Sequence, residues 1–186
     1  MKRFLTIGFC LTALPALFAP LPVLYLFAPI PARADYSQGD RNACAQPLGP
    51  GSRAKLIAVC STLLKTSKLP AIVSGPAYLA RGNAYATSPA DFNKALDDFN
   101  SASDILPKDP APLNAAGIVL LKQRKLLEAF GAFDAARLLD GRNPTALYGR
   151  GLSRLAMGQG GQKDMDQAMG YDKGIAAFFK ANDLYP

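Results

Sequence analysis

The side chains of this sequence that could do chemistry are few, and the missing ones decide as much as those present. There is no histidine and no tryptophan in 186 residues, and Glu128 is the single glutamate. A serine or cysteine nucleophile has no imidazole to take its proton, which excludes Ser-His-Asp and Cys-His arrangements. Zinc loses its nitrogen ligand. Asp97 and Asp98 are adjacent, and adjacent helical residues diverge, so they form no general acid/base pair. The stretch GQGGQK at 158–163 is glycine-rich and ends in lysine. It lacks the G-x-x-x-x-G-K-[ST] spacing, and Asp164 stands where a hydroxyl must meet magnesium. DMDQAMGYD at 164–172 has spaced acids but not the spacing of a calcium loop, and reads as a solvated helix face. No catalytic residue, metal or cofactor is expected: the chain reads as a non-enzyme.

Two further groups invite a role. Arg81 and Arg150 each precede a glycine, Gly82 and Gly151. Ion pairing to a carboxylate on a facing helix is the expected role, with Asp98 placed to meet Arg81. Two arginines gripping an acidic partner is the alternative. Cys44 and Cys60 are the other group. Their spacing is not C-x-x-C, and an even pair in an exported chain argues for a disulfide rather than a redox or metal pair.

Export is read from the start of the chain. Lys2 and Arg3 open it, 4–32 carry no charge, and Ala32 and Ala34 flank Arg33. That is the form of a secretory signal peptide over 1–34, cut after Ala34. The run is long enough to span a bilayer, so a retained membrane anchor over 4–32 is the alternative. Prolines at 15, 20, 22, 29 and 31 oppose a regular spanning helix. Without Lys2, Arg3 and Arg33, the 21 basic and 14 acidic residues leave a net charge of about +4. No dense basic stripe with interleaved aromatics is present, so nucleic acid is not an expected partner. The cluster Lys122, Arg124, Lys125 falls at an expected turn.

These residues must be carried by some scaffold, and the sequence repeats itself. Ala95, Phe99 and Ala102 recur 34 residues on as Ala129, Phe133 and Ala136. Gly82 recurs as Gly117 and again as Gly151. A glycine inside a helix costs about 1 kcal/mol relative to alanine. Its repetition marks points where two antiparallel helices approach closely, with Ala95 and Ala102 equally small and Tyr78, Tyr85 and Phe99 filling the gaps beside them. Ser88-Pro89, Asp109-Pro110 and Asn143-Pro144 each place a capping side chain before a proline at the first helical position. The pattern predicts helices over about 53–67, 75–87, 89–105, 110–123, 126–139, 144–157, 162–170 and 172–183. No sustained alternation predicts a strand.

The pattern Tyr78, Gly82, Tyr85, Ala95, Phe99, Ala102, Pro107 resembles the tetratricopeptide repeat (TPR). A second unit matches through Leu113, Gly117, Leu120, Ala129, Phe133 and Ala136, with Gly141 where proline is usual. A third begins with Leu147 and Gly151 and then has Arg154 where tyrosine is usual. Its second helix is either 162–170, with the last segment as a cap, or the segment around Gly174, Phe178 and Ala181 after an insertion. KLIAVCSTLL at 55–64 resembles the helix that opens secreted bacterial TPR proteins, in which a cysteine pairs with one upstream. The resemblance implies an all-α fold, a short α-solenoid of about three helix-turn-helix units at 74–107, 108–143 and 144–186. A disulfide-tethered segment and capping helix at 35–70 precede it, and a C-terminal capping helix closes it.

The resemblance also implies a concave face, lined by Leu79, Asn83, Asn114, Ile118, Tyr148 and Leu152, that takes a peptide or partner helix. Some relatives grip a terminal carboxylate with lysines and asparagines. Asn83 and Asn114 match part of that clamp, but Leu79 and Thr145 stand where its lysines would be, which argues against it. The expected role is a non-catalytic adaptor of the bacterial periplasm or envelope, or a secreted one. Its alternatives are an anchored assembly factor and a self-associating structural protein.

Overall fold

The structure, a computed structural model, describes Cys44 and residues 52–184. The expected signal peptide, its cut after Ala34 and the start of the tethered segment lie outside the described residues.

Eight α-helices carry those residues. They are α1 (Arg53–Leu64), α2 (Ala71–Tyr85), α3 (Phe92–Ile105), α4 (Ala111–Lys122), α5 (Leu126–Leu139), α6 (Pro144–Ala156), α7 (Gln162–Tyr171) and α8 (Ile175–Ala181). A 3-10 turn, Pro89–Asp91, leads into α3. No strand occurs among the described residues, and the chain is all-α. Each helix packs against the next in sequence, α4 also packs on α6, and α8 reaches back to α6. No helix among the described residues is long and apolar enough to cross a membrane.

The expected helix starts have a physical basis at two of three sites. The Asn143 side chain accepts a hydrogen bond from Ala146 N at 2.9 Å, which satisfies a free donor of α6. Asp109 accepts from Ala111 N at 2.9 Å at the start of α4. Ser88 makes no capping bond, because Pro89–Asp91 turns as 3-10 before the α-helix begins. α2 starts at Ala71, earlier than the expected 75. Gly75 and Pro76 lie inside the helix, which runs through both. Gly75 is pressed against Leu106, and a Cβ there would lie 2.6 Å from Leu106 Cγ, so tertiary contact outweighs local propensity.

The core falls into three clusters along the chain. Cys44, Leu56, Cys60, Leu63, Ala77 and Ala84 join α1 to α2. Phe92, Ala95, Phe99, Ala116 and Val119 join α3 to α4. Phe133, Leu147, Tyr148, Leu152, Met165 and Phe179 join α5 through α8. The repeated small residues Ala95, Ala102, Ala129 and Ala136 are all fully buried.

The recurring glycines do sit at points of close approach. A Cβ on Gly82 would lie 2.6 Å from the Phe99 ring, and one on Gly117 would lie 2.7 Å from the Phe133 ring. The aromatic therefore lies over the glycine and not, as expected, in a wider gap beside it. Gly151 faces Gly161 O and Met165 on α7 in the same way. Thus 162–170 is the helix that pairs with α6, and the segment with Gly174, Phe178 and Ala181 is a separate terminal element.

Candidate partner-binding face

The two arginines are structural. Arg81 donates to Asp98 through Nε at 2.8 Å and Nη2 at 2.6 Å, the expected pair, and Nη1 reaches Ser61 on α1 at 3.1 Å. The hydrogen bond to Asp98 raises the guanidinium above its ordinary range. Arg150 grips Asp164 in the same forked way at 2.9 and 2.7 Å, and its Nη1 binds Asp134 on α5 at 2.8 Å. Burial opposes the Arg150 charge, but Asp164 and Asp134 outweigh it and hold its pKa up. In turn, Arg150 holds the Asp134 carboxyl below its ordinary range. All three nitrogens of each guanidinium bind inside the chain, which leaves neither arginine aimed at an acidic partner. Asp134 was not foreseen. It lies one residue after Phe133, as Asp98 lies one before Phe99.

The sulfurs of Cys44 and Cys60 are at bonding distance, 2.09 Å, and both residues are buried against α2. The pairing agrees with a structural disulfide. Among the described residues no three His, Cys, Asp or Glu side chains converge as metal ligands.

The six expected lining residues separate into two groups. Asn83 is exposed, and Leu79 and Ile118 are half-buried. Asn114, Tyr148 and Leu152 are buried, at 8%, 1% and 1% exposure. Asn114 Nδ2 donates to Asn143 Oδ1 at 3.0 Å and so ties α4 to the cap of α6. Tyr148 stacks on Phe179 of α8, with ring centroids 4.9 Å apart, and Leu184 covers Leu152 and Leu121. The C-terminal segment, not solvent, meets these two positions.

What stays open is a groove of about 220 Å³ lined by Asn83 from α2 and Thr87 just beyond its end, Ile118 and Lys122 from α4, and Phe178 and Asn182 at the C-terminal segment. It offers two amides, a hydroxyl, an ammonium and an aromatic edge. Such a set can hydrogen-bond a peptide backbone and seat one large side chain. Lys122 was expected only as part of a turn, although it stands four residues after Ile118 and so shares its helix face, and Thr87 lies just beyond the end of α2. Phe178 and Asn182 follow from the back-folding of α8, which no local pattern encodes. Comparison with protein-family models gives no match, and none of the curated proteins matches either.

Proposed function

We propose that the chain is a non-catalytic adaptor of tetratricopeptide type that binds a peptide or partner helix on the face carried by α2 and α4 beside the C-terminal segment. The observation that carries this reading is the groove at Asn83, Ile118 and Lys122, placed on the first helices of consecutive pairs. The register supports it. Gly82 lies under Phe99, Gly117 under Phe133 and Gly151 under Met165, at intervals of 35 and 34 residues. A disulfide that ties Cys44 to α1, with the charge pattern of residues 1–34, supports work in the periplasm or another oxidising compartment.

Site-specific photo-crosslinking in the source organism tests the reading, with probes at Asn83 and Lys122 and a control at Lys94, whose side chain is 63% exposed on α3. A discrete adduct from the two probes and none from the control is expected. An identical smear from all three positions, or no adduct, defeats a groove-binding adaptor. An adduct at twice the chain mass transfers the role to self-association.

A further inference from the structure

α8 behaves in this fold as a ligand does. It is the shortest of the eight α-helices described, seven residues, joined to α7 through Asp172, Lys173 and the exposed Gly174. It lies on α6, the helix that carries two of the expected partner contacts. Phe179 is fully buried against Tyr148 and also approaches the Phe133 ring, with centroids 6.3 Å apart. Ile175 and Leu184 complete the apolar contact. The neighbouring Phe178 stands edge-on to Phe179 and is 44% exposed, reaching toward the open groove. Asp183 follows, beside Lys122 and Arg124 in a small depression at the α4–α5 turn.

We infer that α8 is a self-ligand: it covers a helix-binding surface centred on α6 that a partner helix takes by displacing it. The inference deepens the adaptor reading and rests on it for the existence of a partner. The partner's chemistry follows from what α8 presents. It is an amphipathic helix with two adjacent aromatic side chains and an acidic residue one turn on, placed toward the depression that Asp183 lines together with Lys122 and Arg124. Ile175, Phe179 and Leu184 bring apolar burial to the present contact, and two hydrogen bonds are local to the segment, from Asn182 Nδ2 to Phe178 O and from Gly174 N to Asp172 Oδ1. A tethered helix has a high effective concentration, so it excludes a free helix of equal affinity until something weakens it.

The test uses the full chain and a fluorescein-labelled synthetic peptide of residues 173–186 as probe. Phe179→Ala in the chain opens α8, and the unaltered peptide is expected to bind this variant at least about tenfold tighter than the wild type. A peptide carrying Phe179→Ala should not bind. A folded Phe179→Ala chain that ignores the peptide overturns the self-ligand. Because that variant could fail to fold, amide hydrogen exchange on the unaltered chain provides a second reading. Amides of 175–181 are expected to exchange at least about a hundredfold faster than those of α6. Equal protection of the two helices overturns the proposal, since α8 would then open only with the whole fold. A wild-type dimer that Phe179→Ala abolishes assigns the surface to a second copy and overturns a partner helix. Failure here and failure of the adaptor reading are distinguishable. An adduct at Asn83 with no peptide binding ends only the self-ligand; peptide binding with no cellular adduct ends only the adaptor.

Discussion

The two ends of the helix array are closed by different physics. At the N-terminal end, α1 is fastened by the Cys44–Cys60 bond, and Arg81 donates to Ser61 from α2. Arg53 adds hydrogen bonds to Ala84 O and Thr87, each at 3.0 Å, and pairs with Asp91. At the C-terminal end, Ile175, Phe179 and Leu184 hold α8 by burial. Covalent and charged ties keep their geometry even when a helix frays. An apolar contact lets a short helix leave and return as a unit, because local opening costs little more than the area it exposes. The difference teaches where this fold can move. Its fixed end guards the first helix pair, and its releasable end lies on the face a partner would need.

The largest expected effect separates two phenylalanines that look equal by burial. Phe133 and Phe179 are both fully buried, in the same cluster. Phe133 fills the contact with Gly117 and Gly149 at the centre of the array, so Phe133→Ala should cost about 3–5 kcal/mol of global stability. Phe179→Ala should cost less than half as much in global urea unfolding, because α8 can open without the rest. Equal losses from the two variants would erase the contrast between centre and end.

Second in size is the bond at the other end. Replacing both cysteines, Cys44→Ala with Cys60→Ala, frees a loop of sequence separation 16 and should lower stability by about 3 kcal/mol. For a chain of this length that lowers the melting temperature by roughly 6–12 °C in calorimetry. The same variant should bring α1 amide protection down toward that of α8. If α1 stays protected, Arg53 and the α1–α2 packing suffice without the sulfur bridge.

How much of this was legible in the sequence follows the range of the interactions. The helix pairs were legible because the 34-residue interval repeats the same close contact, glycine against a large side chain. The Arg81–Asp98 pair was legible too, since both residues belong to one helix pair and a fixed register relates them. α8 as a helix was legible from 172–183, but its docking site was not. Phe179 meets Tyr148 and Phe133 through a fold-back after Gly174, and no spacing rule gives its direction. That same fold-back is why Tyr148 and Leu152, at the right repeat positions for a groove lining, are buried. Asp134 was missed for a related reason: it pairs with Arg150 on the next helix pair, across the boundary at which the repeat pattern stops being informative.

The smallest expected effect uses acid to separate the ends. Arg150 holds Asp134 below its ordinary value of 3.8, with Arg137 assisting. The folded-state pKa is depressed, so the stabilisation is fully present above pH 3.8 and is lost as pH falls through the folded value. The Asp134 side chain is 31% exposed, so solvent screening keeps its contribution below about 1 kcal/mol. Urea unfolding of the wild type and Asp134→Asn should therefore differ at pH 5, and the difference should shrink toward pH 3. A constant difference would mean that Asp134 acts through packing and not through charge. Asp91, held low by Lys94 and Arg53, loses its own pairing over the same range near the N-terminal end. The Cys44–Cys60 disulfide does not titrate, so acid should loosen the α5–α6 contact while α1 stays fastened. Amide exchange at pH 3 and pH 5 would show this as a loss of protection graded along the chain toward α8.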